Sequence, residues 1–169
     1  NGELRIENVN QQVVLSGWVS KKRSLGGLIF VDLRDRYGIT QLVCKPENEN
    51  YEKLSSVRNE YVLNISGTVL ERESKNLKIP TGEIEVEIDK CTVLSEANQT
   101  PLIIADKTDA LEDVRMKYRY LDLRRPIMQQ NLILRSKIAS SIRNTLDSLD
   151  FLEIETPIFF FFSQEGARD

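Results

Sequence analysis

Residues 83–89 alternate strictly, with Ile84, Val86 and Ile88 on one side and Glu83, Glu85, Glu87 and Asp89 on the other. Successive side chains of a strand point to opposite faces, so this pattern predicts a half-buried β-strand over 83–94. Four more strands are predicted upstream of it. The valine-rich stretch 13–22 holds the only tryptophan, Trp18, and the Gly26-Gly27 pair after it marks a turn. Residues 28–35 and 39–44 follow, separated by the Tyr37-Gly38 turn. Residues 61–72 place Tyr61, Leu63, Ile65, Gly67 and Val69 on one face, ahead of a turn at Pro80-Thr81-Gly82. Between the third and fourth strands, Pro46 and an Asn/Glu cluster break the alternation. Tyr51, Leu54 and Val57 then recur at helical spacing and predict a short helix over 51–59.

The pattern changes after Leu94. Residues 95–109 are polar, contain Pro101 and read as a linker, and 110–120 read as a helix. Arg125-Pro126 interrupts, and a proline suits the first turn of a new helix. Leu134, Ile138, Ile142 and Leu146 recur every four residues, which predicts an amphipathic helix over 127–149. Taken from the residues alone, that apolar stripe is the core-facing side of the helix. A sixth strand is predicted over 151–155, ended by Pro157. The fold class is therefore mainly β. Five strands with one helix between the third and fourth is the element order of a five-stranded OB-fold barrel. The predicted division is a barrel at 1–94, a hinge at 95–126, and the start of an α+β domain at 127–169.

Composition narrows the function classes. Apolar residues make up 40% of the 169 and charged residues 29%, the balance of a water-soluble globular chain. No apolar run approaches the roughly 20 residues of a membrane span, and no basic-then-apolar leader opens the sequence. Cys44 and Cys91 stand alone without ligand spacing and there is no histidine, so no metal site is expected. Two unpaired cysteines fit a cytoplasmic protein. The net charge of −3 hides a local pattern, since 115–143 carry eight basic residues and a single acid, Asp122. Phosphate contacts depend on local charge, so the total does not exclude RNA.

The second strand carries the candidate chemistry. Alternation puts Ile29, Val31 and Leu33 on one face and Leu28, Phe30, Asp32 and Arg34 on the other. Phe30 thus lies beside an acid and an arginine on the wetter face, where an aromatic serves either as rim packing or as a stacking platform for an unpaired base. OB-folds bind single strands on the face of their second and third strands. Lys21, Lys22, Arg23 and Arg36 flank this strand and are read as a basic rim around the ring. Gln41 on the third strand offers an amide that both donates and accepts, or is an ordinary surface glutamine. Glu85, on the polar face of the fifth strand, is either a base contact or a solubilising acid.

A longer set of motifs carries a resemblance. Gly17-Trp18-Val19, Lys21-Lys22-Arg23, the run Leu25-Gly26-Gly27-Leu28-Ile29-Phe30-Val31-Asp32-Leu33-Arg34-Asp35 and Gly38-Ile39-Thr40-Gln41 resemble the anticodon-binding barrel of aspartyl-tRNA synthetases. The likeness continues through Gly67-Thr68-Val69, Arg72, Lys75-Asn76 and Thr81-Gly82-Glu83-Ile84-Glu85-Val86. It then runs through Lys117-Tyr118-Arg119-Tyr120-Leu121-Asp122-Leu123-Arg124-Arg125-Pro126 to Phe151-Leu152-Glu153-Ile154-Glu155-Thr156-Pro157. The barrel motifs are shared with the lysyl and asparaginyl enzymes. The final Glu165-Gly166-Ala167-Arg168-Asp169 points to the aspartyl enzyme.

The resemblance implies roles. Phe30 would stack on the middle anticodon uridine of an aspartate tRNA and Gln41 would bond its edge. Arg23 and Glu85 would meet the first anticodon base, and Arg72 and Asn76 the third. The 127–149 helix and the strand after it match the first class II motif, which builds a homodimer interface around Pro157. Glu165 matches a loop carboxylate that engages the ammonium group of aspartate. The parent enzyme would use ATP and magnesium to esterify its tRNA with aspartate. The barrel is complete, so this stretch is expected to bind the anticodon stem-loop; it lacks the later class II motifs, so it is expected to need no cofactor and to be catalytically incomplete. Phe159–Phe162 and Gln164 depart from the family pattern, which has mixed residues and a proline there. A non-enzymatic OB module that binds single-stranded nucleic acid without sequence preference is the alternative.

Overall fold

A computed structural model describes residues 1–156, which divide into two compact units between Thr100 and Pro101. Pro157, the Phe159–Phe162 run and Glu165 lie outside the described residues.

The first unit consists of β1 (Gln12–Leu25), β2 (Leu28–Arg34), β3 (Ile39–Cys44), α1 (Tyr51–Ser56), β4 (Val62–Glu71) and β5 (Ile84–Ser95). Every strand pairs with two neighbours in the order β1-β2-β3-β5-β4, and β4 returns to β1, closing the barrel. Only the β3–β5 seam is parallel, and it is short: Leu42 opposes Val86 and Val43 opposes Glu87. The inward residues of each strand supply the core, with Val19, Val31, Leu33, Leu42, Leu63 and Ile65 all fully buried. Leu54 and Val57 press the α1 segment against the same core. The helix is shorter than its spacing predicts, because Val57 already has an extended backbone, with φ −62° and ψ 141°.

Two local features set which side chains share a face. The β1–β2 hairpin turns on Gly26 and Gly27, both at positive φ (59° and 81°), a two-residue turn that glycine adopts without penalty. Between Val19 and Lys21 the register with β2 shifts, leaving Ser20 as the extra residue of a β-bulge. A one-residue slip transfers every following side chain to the opposite face. Leu15 and Val19 point inward before the bulge, yet Arg23 beyond it pairs with the outward Phe30 and Lys22 pairs with the inward Val31.

The second unit contains α2 (Glu112–Lys117), α3 (Arg119–Asp122) and α4 (Pro126–Asp147). The single helix predicted at 110–120 is divided at Tyr118, whose φ −110° and ψ 44° leave the helical region. Asp122 is fully buried and accepts from Arg115 Nε at 2.9 Å, Arg119 Nη1 at 2.6 Å and Arg125 Nη1 at 2.9 Å. The two hydrogen bonds from Arg115 and Arg125, in that order, hold its carboxyl at about 2, below the usual 3.8, against the opposing effect of burial. Arg125 also donates to the Ala105 and Asp106 carbonyls at 2.9 and 2.7 Å. Asp106 Oδ1 then accepts the Ile127 amide at 2.8 Å and caps the first turn of α4.

Two expectations for this unit fail. The apolar stripe of α4 does not face a core, since none of its residues is buried and Leu134, Ile138 and Ile142 are 58%, 51% and 55% exposed. An amphipathic pattern specifies which side of a helix needs covering but not what covers it. No strand forms at 151–155, where Phe151, Leu152 and Ile154 are exposed. A strand exists only by pairing, and the described residues of this unit contain no other strand.

Candidate nucleic-acid interface

The outward face of β1, β2, β3 and β5 assembles most of the candidate residues in two adjoining rows. Cross-strand pairing aligns Arg23, Phe30, Val43 and Glu87 in one row. The next row runs from Asp32 through its partner Gln41 toward Glu85, which pairs with Leu70 of β4. Phe30 is half-buried and outside the barrel core, as alternation in β2 requires. The ring is thus only partly covered and stands beside a polar row.

That polar row is internally bonded. Gln41 Oε1 accepts from Arg23 Nη2 at 3.1 Å and from Arg72 Nη2 at 3.0 Å. Gln41 Nε2 donates to Glu85 Oε2 at 2.7 Å. Arg23 Nη2 also donates to Asp32 Oδ1 at 2.8 Å. The amide can take only this orientation, because its oxygen meets two cations and its nitrogen meets a carboxylate. Four of the six anticodon candidates, Arg23, Gln41, Arg72 and Glu85, thus form one constellation, with Phe30 in the adjoining row. Gln41 is not a surface glutamine: it is 6% exposed and its amide is already engaged.

Asn76 is not joined to this network by any hydrogen bond among the described residues. It sits in the β4–β5 loop, where its Oδ1 accepts the Lys78 backbone amide at 3.1 Å and its backbone N–H donates to the Gly82 carbonyl at 2.9 Å. The loop closes tightly, since a Cβ on Gly82 would stand 1.7 Å from the Asn76 carbonyl oxygen. Arg72 Nη2 reaches the network from the end of β4, where its backbone amide bonds the Glu83 carbonyl at 2.9 Å.

The basic rim is smaller than expected. The bulge at Ser20 turns Lys22 inward, and its ammonium bonds the Ser55 carbonyl in α1. Burial and the nearby Arg58 charge lower its pKa. Arg36 lies beyond the far end of β2 and covers the Tyr37 ring, 5.9 Å from its centroid. Lys21 and Arg23 remain on the exposed side. Two contributors escaped the sequence reading. Asp32 anchors Arg23, and Lys45 beyond Val43 pairs with Glu87 at 2.6 Å. The Glu87 hydrogen bond raises the pKa of Lys45. Alternation already placed Asp32 on the right face, so its clamp role was the more accessible of the two.

No group of three or more His, Cys, Asp or Glu side chains among the described residues is placed to hold a metal ion. No helix among them is long and apolar enough to cross a membrane.

Comparison with known proteins agrees with the fold. Residues 13–94 match the family described as OB-fold nucleic acid binding domain, and 111–169 match the class II tRNA synthetases of the D, K and N group. The fold and the matched segments thus define a class II aminoacyl-tRNA synthetase sequence with an OB domain of the anticodon-binding kind. The chain is 53% identical over its full length to an aspartate–tRNA ligase of Exiguobacterium sibiricum, and 54% identical over 99% of its length to an aspartate–tRNA(Asp/Asn) ligase of Bacillus anthracis. It belongs to the aspartyl-tRNA synthetase family. The chain spans 29% of the length of these curated relatives. Its backbone is similar, with a TM-score of 0.80, to the asparaginyl-tRNA synthetase of Pyrococcus horikoshii complexed with asparaginyl-adenylate. That likeness has 26% identity and covers 92% of this chain and 35% of the other.

Proposed function

We propose that the outer face of β1, β2, β3 and β5 receives the unstacked anticodon bases of an aspartate tRNA, as part of a cytoplasmic, homodimeric, ATP-dependent aspartate–tRNA ligase. The observation that carries this is the Arg23–Gln41–Arg72–Glu85 constellation standing in the row next to a half-buried Phe30. Single-stranded RNA is recognised by splaying its bases onto aromatic rings and bonding their edges, which is the chemistry these two rows supply together. Phe30 stacks on the middle uridine. Arg23 and Glu85 meet the first base, Arg72 and Asn76 the third, and the second Nε2 hydrogen of Gln41 is the donor left for the middle base.

Glu165 and Pro157 keep their proposed parts, aspartate binding and the dimer interface, outside the described residues. Magnesium and ATP belong to the parent reaction. The match of 111–169 to class II synthetases disfavours a free-standing, non-enzymatic OB module.

Titration of the chain with the aspartate anticodon stem-loop, followed by fluorescence anisotropy, tests the reading. Binding should weaken when the middle uridine is replaced. Equal affinity for both stem-loops would remove the case for anticodon recognition.

A further inference from the structure

Within this reading, we propose that Gln41 is a positioning residue for the whole base-reading constellation, holding Arg23, Arg72 and Glu85 in place before RNA arrives. The three groups come from separate elements: Arg23 from β1 past the bulge, Arg72 from just beyond β4, Glu85 from β5. No hydrogen bond or ion pair among the described residues joins any one of them directly to another; each reaches the same buried amide instead. The amide is suited to this by its polarity. Its oxygen lies 3.1 and 3.0 Å from two guanidinium nitrogens, and its nitrogen lies 2.7 Å from a carboxylate oxygen. Neither an aspartate nor a lysine at this position could satisfy both sides, because one lacks donors and the other lacks acceptors.

The chemistry of the partners makes the bridge consequential. Two arginines and two carboxylates, Asp32 and Glu85, balance in charge around a neutral amide. Arginine side chains are long and rotameric, and ordering them at the moment of binding costs affinity. Here that ordering is already done in the free protein. Arg23 and Glu85 serve the first base and Arg72 the third, so a single amide couples the recognition of separate bases. Substituting Gln41 should therefore blur base discrimination at positions its own side chain does not touch.

The test uses Gln41→Met, which preserves length and apolar volume and removes both the donor and the acceptors. In the free chain, nitrogen-15 NMR of the Arg23 and Arg72 guanidinium groups should show restricted, slowly exchanging signals that become averaged and fast-exchanging in Q41M. Binding of stem-loops altered at the first, middle and third bases should then show about tenfold or greater loss of discrimination at the first and third positions as well as at the middle one. Loss confined to the middle base, with the arginine signals unchanged, overturns the proposal and leaves Gln41 as a reader of one base. Absence of base discrimination by the wild-type chain, with the arginine signals still ordered and Q41M still averaging them, overturns the anticodon reading but upholds the positioning role. Should Q41M fail to fold, Glu85→Gln supplies the same readouts. It keeps an acceptor for the Gln41 amide but lowers its charge, and is expected to loosen both arginines partially. Unchanged arginine exchange in E85Q counts against the coupling.

Discussion

Two arginine–carboxylate clusters stand out among the described residues, and they differ in how fully their arginines are spent. Around Asp122, three arginines converge on one fully buried carboxylate, and the other two nitrogens of Arg125 donate to the Ala105 and Asp106 carbonyls. On the barrel, Arg23 and Arg72 each give one nitrogen to Gln41, and Arg23 is 44% exposed. The first cluster is closed at its centre, where Asp122 and Arg125 are 0% and 8% exposed, while Arg115 and Arg119 stand at its rim. It ties α2, α3 and the start of α4 to the stretch before them. The second is held in place yet keeps donors turned to solvent beside an aromatic ring. Charge content alone does not distinguish them, nor does burial at the centre; the saturation of Arg125 and the aromatic neighbour of Arg23 do.

Asp122→Asn attacks the closed cluster and should have the largest effect on stability. It leaves three guanidiniums around an uncharged amide, a loss of about 3 kcal/mol in the second unit, read by urea unfolding or hydrogen exchange. RNA discrimination by the barrel should be unchanged. The same group sets an acid dependence. Its folded pKa of about 2 lies below the usual 3.8, so between these values the unfolded chain binds more protons and stability falls as pH falls. The contribution is fully present above about pH 4 and is lost as pH drops through about 2. D122N should remove that slope.

Phe30→Ala attacks the open cluster's neighbour and should do the reverse. Stem-loop affinity falls by about 1–3 kcal/mol, the increment for stacking one base, while the melting temperature of the barrel changes little. A large loss of stability would mean that the ring is structural. The smallest effect is expected for Arg72→Lys. Charge is kept but the planar fork is lost, and affinity should drop by about 1 kcal/mol with stability unmoved.

Much of the barrel was legible because alternation is a local property. The faces of β2 and β5 followed directly from their sequences, and with them the outward placement of Phe30, Asp32 and Glu85. The basic rim was misjudged for an identifiable reason. Lys21, Lys22 and Arg23 are consecutive, and no composition signal shows that Ser20 is an extra residue. The bulge decides that Arg23 joins Phe30 while Lys22 turns to α1. Gln41 illustrates a second limit, since its burial comes from groups 18, 31 and 44 positions away in sequence. For Asp122 a signal did exist: it is the only acid among eight basic residues at 115–143.

What the amino-acid order determined by itself was the element sequence of the barrel, the side of each strand or helix that is apolar, and the family to which its motifs belong. Those depend on side-chain periodicity and on residue identity at short spacing. Only the tertiary structure decided which polar groups meet, because strand register and a single inserted residue set those neighbours. It also showed the α4 stripe uncovered, since periodicity names the face to be buried and is silent about its partner.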